Sequence, residues 1–122
     1  MKVLLLHEMS GVHTELKKGL LSIGIETHIA THGDGFKKYS SDINLGSISG
    51  SATSHLERAR NQFFLSKKFS NYDVVQTISP DSFYKPISNI LYNNLFKSSC
   101  KKIYIAAGSD PIYRKHVKDL DY

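Results

Sequence analysis

The chain has 122 residues, a formal net charge of +5 and one cysteine. Hydrophobic residues make up 40% and charged residues 22%, which is ordinary globular usage. This composition excludes global disorder, fits a single domain over residues 1–122, and leaves no internal disulfide framework or cysteine metal knuckle. The first apolar run, Val3 to Leu6, is too short for a signal-peptide core or a membrane span, so a reducing cytoplasm is the expected compartment.

Lys2 to His7 (KVLLLH) is a continuous apolar run, suited to a strand buried on both faces of a parallel sheet. Val12 to Ile23 places Val12, Leu16, Leu20 and Ile23 at three- and four-residue steps, which predicts a helix with Lys17 and Lys18 on its far side. Gly24 ends that helix as a left-handed cap, and Ile25 to Thr31 reads as a second strand. Strand, helix and strand at this spacing form a βαβ unit, hence a parallel pair with a right-handed crossover.

The polar stretch HGDGFKKYSSDINLGSISGS that follows reads as a long loop. Ala52 to Phe69 returns to helical spacing through Leu56, Ala59 and Phe63, and Asp73 to Ile78 reads as a third strand. Ser79-Pro80-Asp81 has the chemistry of a helix start, with Phe83, Ile87, Ile90, Leu91 and Leu95 as the buried face. Lys101 to Ala106 is the fourth strand, followed by AGSDPIYRK. The alternation predicts a three-layer, Rossmann-like open parallel α/β sheet of about four strands with flanking helices. In such a sheet ligands gather at the carboxyl ends of the strands.

The loops on that edge carry the candidate binding residues. Gly11 is the only glycine between Leu6 and Gly19, so a GxGxxG dinucleotide turn is absent, and a GxxxxGK[ST] phosphate loop is absent too. What remains is the helix N-terminus, whose N–H groups suit a phosphate or a sugar hydroxyl, with His13 beside it as a donor or base. The structural alternative makes Gly11 a tight turn and His13 a cap or a solvent-facing residue. Asp34 falls roughly where a ribose-holding acid would sit, with Gly35 next to it, although HGDG equally makes a turn. Asp110 either contacts a ligand or caps a helix opened by Pro111. None of the six histidines forms an HxxxH or HExxH pair on one predicted helix, and no cysteine cluster joins them, so no metal site is expected. The lysine doublets are scattered over several elements, which argues against a nucleic-acid face. They still permit weak attraction to an anionic lipid surface, about 1 kcal/mol for each lysine close to it.

Taken in order, these segments resemble the N-terminal domain of GT-B glycosyltransferases of the group-1, family-4 type. The matching stretches are MKVLLLHEMSGVHTELKKGLLSIGIETHIAT, HGDGFKKYSSDI, YDVVQTISP and KKIYIAAGSDP, covering nearly the whole chain. The resemblance implies transfer of a sugar from a nucleotide-sugar to a glycan or lipid-linked acceptor, in polysaccharide biosynthesis. It also implies a cytoplasmic location with peripheral contact at the inner membrane face. It places Gly11, His13, Asp34, Gly35 and Asp110 on the cleft wall and requires no cofactor beyond the donor. The family's E-x7-E signature is absent, and Ala107 stands where many members carry histidine. Since 122 residues leave no room for a nucleotide-sugar domain, the expectation is the acceptor-side half alone, inactive as an isolated chain and completed by a partner domain or subunit. The alternatives are a non-catalytic subunit that recruits a partner glycosyltransferase, a flavodoxin-like ligand-binding domain, and a decayed fragment. A response-regulator receiver lacks its acids: strand one ends in His7-Glu8 and strand three in Thr77-Ile78-Ser79.

Overall fold

Four consecutive apolar residues, Val3 to Leu6, are all buried, and this sets the centre of the molecule. A strand apolar on both faces is stable only when both are covered. The computed structural model, which describes residues 1–8, 11–32, 41–46, 50–78 and 83–105, places it there. β1 (Lys2–Leu6) pairs in parallel with β2 (Glu26–Thr31) on one side and β4 (Val74–Thr77) on the other. The two-residue β3 (Ile43–Asn44) flanks β2, and β5 (Lys101–Tyr104) flanks β4. The sheet is five-stranded and wholly parallel, in the order β3-β2-β1-β4-β5. The direction of winding reverses between β1 and β4, which makes that junction the switch point of a Rossmann-like sheet.

The four predicted strands are present. The additional one, β3, lies inside the stretch read as loop. A two-residue strand shows no periodicity, and its placement comes from hydrogen bonds. Asp42 exchanges backbone and side-chain bonds with Ile29, and Lys17 reaches the same Asp42 carboxylate at 2.6 Å. Burial pushes the Asp42 carboxyl upward. The Lys17 hydrogen bond, the Ile29 N–H and the nearby Lys17 and His28 charges outweigh that and hold it below the ordinary carboxylate value.

Helix α1 (Val12–Ser22) covers one face of the sheet through Leu16 and Leu20, which pack on Val3, Leu5 and Ile29. Its ends are drawn outward: Val12 and Ile23, predicted on the buried stripe, are exposed. Gly24 and Ile25 close the helix with paired bonds to Leu21 and Leu20, the Schellman pattern. The other face carries α2 (Ala52–Ser66) and α3 (Ser88–Lys97), whose Leu65, Leu91 and Leu95 join Leu4, Leu6, Ala30 and Val75 in the larger core.

Both of these helices depart from the hydropathy reading. In α2, Leu56 is 70% exposed and Phe63 also faces outward, whereas Ser54, Gln62 and Ser66 are buried with Leu65. Gln62 explains the inversion. Its amide N–H donates to Leu45 O at 3.2 Å and its Oε1 accepts from Tyr84 N at 2.6 Å, so a polar residue ties α2 to two loops. In α3, helical geometry begins at Ser88, after a 3-10 turn over Lys85–Ile87 that contains Pro86. The predicted start at Ser79-Pro80-Asp81 lies outside the described residues, and Phe83 is buried ahead of the helix. Leu91 and Leu95 are buried as expected, whereas Ile90 faces out.

Gln62→Leu keeps the side-chain volume and strands the Leu45 carbonyl and the Tyr84 N–H in a dry site. We expect a loss of about 2–4 kcal/mol in urea-denaturation stability, since each buried orphan group costs roughly 1–3 kcal/mol. An unchanged midpoint would contradict the bridging role.

Candidate functional site at the carboxyl edge

The strand registers align Leu6 with Ala30 on one side and with Thr77 on the other. The residues that follow, His7 and His32 among them, therefore come out on one rim, with the start of α1 beside them. Gly11 precedes α1 in the left-handed region (φ 81) and supplies no side-chain cap. A residue with a Cβ is disfavoured there, so glycine serves the turn.

The cap comes from Glu8. Its carboxylate accepts from His13 N at 3.0 Å, from Thr14 N at 2.6 Å and from the Thr14 hydroxyl. The expectation of free N–H groups at this helix end is therefore corrected: at His13 and Thr14 they already hold an internal anion. A carboxylate at the positive end of a helix is stabilising, and it takes the position an external phosphate would need.

His13 differs from both readings of the sequence. It neither caps the helix nor faces solvent, and it is completely buried. Its Nδ1–H donates to the carbonyl of His7 at the end of β1, and its Nε2 accepts from the Gln76 amide of β4 at 3.2 Å. A carbonyl only accepts, so Nδ1 carries a proton; an amide NH2 only donates, so Nε2 carries none, and the ring is neutral. Desolvation lowers its pKa below the ordinary 6.5, against opposing contributions from the His7 carbonyl and the Glu8 charge.

His7 has φ 69, the only positive φ at a non-glycine position among the described residues. Such a conformation costs roughly 1–3 kcal/mol and persists only where its surroundings hold it. The holding contacts are the His7 N–H to Ala30 O at 2.8 Å and the His7 carbonyl to His13. The His7 ring lies 5.4 Å from the ring of His32, tilted by 46°. His32 donates from Nδ1 to Gly46 O at 2.9 Å. Gly46 in turn sits against α2 at φ 103, where a Cβ would come 2.7 Å from Arg58 Cα. Arg58 stacks on Tyr84 at 5.0 Å, and the Arg58 guanidinium and the Tyr84 hydroxyl both lie within hydrogen-bond distance of His55 Nδ1.

Of the residues singled out in the sequence, Gly11 and His13 meet on this edge. Asp34, Gly35 and Asp110 lie outside the described residues. Sequence reasoning missed Glu8 as the cap and Gln76 as the partner of His13. One available signal was a glutamine in an otherwise apolar strand, VVQT. Among the described residues no three His, Cys, Asp or Glu side chains gather as a metal site, and no helix is long and apolar enough to cross a membrane. An apolar groove of about 400 Å³ opens between α3 and β5, lined by Val75, Tyr92, Leu95, Phe96 and Ile103. Comparison with protein-family models, curated proteins and solved structures finds no match to this chain.

The lowered His13 pKa has a definite sign. Below pH 6.5 the unfolded chain takes up a proton that the folded ring resists, so this contribution is complete above pH 6.5 and is lost as the pH falls toward the folded value. We expect the urea midpoint to drop between pH 7.5 and pH 5.5, and a His13→Gln variant, less stable at neutral pH, to show a shallower drop. Equal slopes for the two proteins would contradict the buried neutral ring.

Proposed function

We propose that this chain is the acceptor-side half of a GT-B-type glycosyltransferase. Its carboxyl edge would form one wall of a cleft whose other wall, on a second domain or subunit, binds the nucleotide-sugar. The observation that carries this reading is the composition of the edge at the β1–β4 switch point, the usual ligand position in open parallel sheets. The helix terminus there is already occupied by Glu8, and no glycine-rich turn accompanies it. That helix end is poorly equipped for a diphosphate. Imidazole, hydroxyl and amide groups around it suit the hydroxyls of a sugar acceptor.

In this reading the donor diphosphate is handled by the partner domain, and the chain contributes acceptor binding and orientation. The net charge of +5 supports an acceptor carried on an anionic lipid and a peripheral position at a membrane face. The order and spacing of the segments that resemble the family give the reading its chemical direction.

The test is a titration of the isotope-labelled chain, followed by amide NMR. Methyl glycosides of glucose, galactose, mannose and N-acetylglucosamine are expected to perturb amides around Gly11, His32 and Thr77, with at least one responding in the millimolar range. UDP-glucose and GDP-mannose should bind no more tightly than their sugars, and the chain alone should transfer nothing. Micromolar binding of a nucleotide-sugar, turnover by the isolated chain, or no response to any glycoside would overturn the proposal.

A further inference from the structure

The bridging role of Gln62 accounts for a polar residue turned inward on α2, but not for the apolar residues turned outward. Leu56, Arg60, Phe63 and Lys67 recur at three- and four-residue steps and form one exposed stripe, with Phe64 beside it. α3 lies against α2, joined to it by the Asn94 amide, which donates to Ser66 Oγ at 3.0 Å. Ile90 and Lys97 face outward from α3. The two helices share a shallow, open depression lined by Phe63, Ser66, Lys67, Ile90, Asn94 and Lys97. The Lys67 ammonium sits 4.8 Å from the centre of the Phe63 ring, so charge and aromatic surface are in direct contact.

The charge is gathered on the same layer. Residues 52–68 and 85–97 contain Arg58, Arg60, Lys67, Lys68, Lys85 and Lys97 against one acid, Glu57, an excess as large as the +5 of the whole chain. On the opposite face the lysines of α1 are already neutralised, Lys17 by Asp42 and Lys18 by Glu15. Among the described residues no ion pair reaches Arg60, Lys67, Lys68 or Lys97. Resting on the peripheral membrane position in the reading above, but not on its glycan-binding wall, we propose that the outer surface of α2 and α3 docks on an anionic phospholipid bilayer. Leu56, Phe63, Phe64 and Ile90 enter the boundary between headgroups and acyl chains, and the lysine heads reach the lipid phosphates. The chemistry of the patch favours a bilayer over other occupants. A second copy of this chain would set cations against cations. A nucleic-acid strand would find nothing to stack on at Leu56 and Ile90. A protein partner needs a pocket for its anchoring side chain, and the depression here is shallow.

The chain holds no tryptophan, so Phe63→Trp places a single fluorescent reporter within the patch. Co-sedimentation is measured with vesicles of phosphatidylcholine alone and of phosphatidylcholine and phosphatidylglycerol in equal parts. The proposal expects binding to the phosphatidylglycerol vesicles only, weakened by added salt, with the emission of the Phe63→Trp variant shifted to the blue and quenched by brominated acyl chains. Lys67→Gln/Lys97→Gln and Leu56→Ser/Phe63→Ser, all at exposed positions, are expected to melt near the wild-type temperature and to bind roughly tenfold more weakly. Lys18→Gln/Lys101→Gln removes the same charge from the α1 side of the sheet and is expected to bind as the wild type does. No binding by the wild type, equal losses in the two lysine pairs, or an unchanged Phe63→Trp emission on binding overturns the proposal. Self-association of the wild type in place of vesicle binding, or quenching of the Phe63→Trp variant by a single-stranded oligothymidylate, assigns the patch to another occupant and overturns it as well. Vesicle binding without a glycoside response leaves this surface standing and removes the glycan wall alone; a glycoside response without vesicle binding does the reverse.

Discussion

One buried imidazole joins the two halves of the sheet edge. His13 comes from the first turn of α1, reaches the end of β1 with one nitrogen and a side chain of β4 with the other, and so spans the point where the winding reverses. A polar group in a dry site is tolerable only when both hydrogen-bonding positions are satisfied, and that requirement fixes the tautomer, the ring orientation and the charge state together. The αL carbonyl of His7 and the amide of Gln76 each hydrogen-bond to His13. The rim is accordingly specified by hydrogen bonds, whereas the sheet beneath it is specified by apolar packing.

The opposite face repeats the device at a second place. Gln62 of α2 ties the loop after β3 to the loop before α3, as His13 ties β1 to β4. Gly46 lets that first loop approach α2 closely enough for its carbonyl to fix His32. The two latches lie on different layers and converge on one edge. His7 and His32 on this edge are thus held from behind, and support of this kind is what a binding surface needs for geometric selectivity.

How much of this was legible in the sequence follows from which force places each element. β1, β2, β4 and α1 announce themselves because they bury apolar runs or stripes against the sheet, and β5 was recognisable as a strand although its four residues are exposed. The long polar stretch concealed β3, whose position rests on Asp42 and Ser41 bonds to β2. α2 was recognisable as a helix, yet its buried face was misassigned because Ser54, Gln62 and Ser66 occupy it. At the edge, Gly11 and His13 were identified as notable, but their roles depend on partners far along the chain. Glu8 caps from outside the helix, and Gln76 lies 63 residues from His13. Tertiary hydrogen bonds between such distant residues leave no periodic trace, so hydropathy and spacing cannot report them.

Everything proposed for the edge requires His13 to be a neutral ring with its proton on Nδ1. Long-range ¹H–¹⁵N correlation spectra of the histidine side chains, recorded from pH 7.5 downward, read this state directly. The expected spectrum assigns His13 a protonated Nδ1 and an unprotonated Nε2, persisting below pH 6.5. A proton on Nε2 at neutral pH, or an imidazolium already formed at pH 6.5, would show that the ring does not bridge His7 and Gln76 and would remove the support beneath the rim.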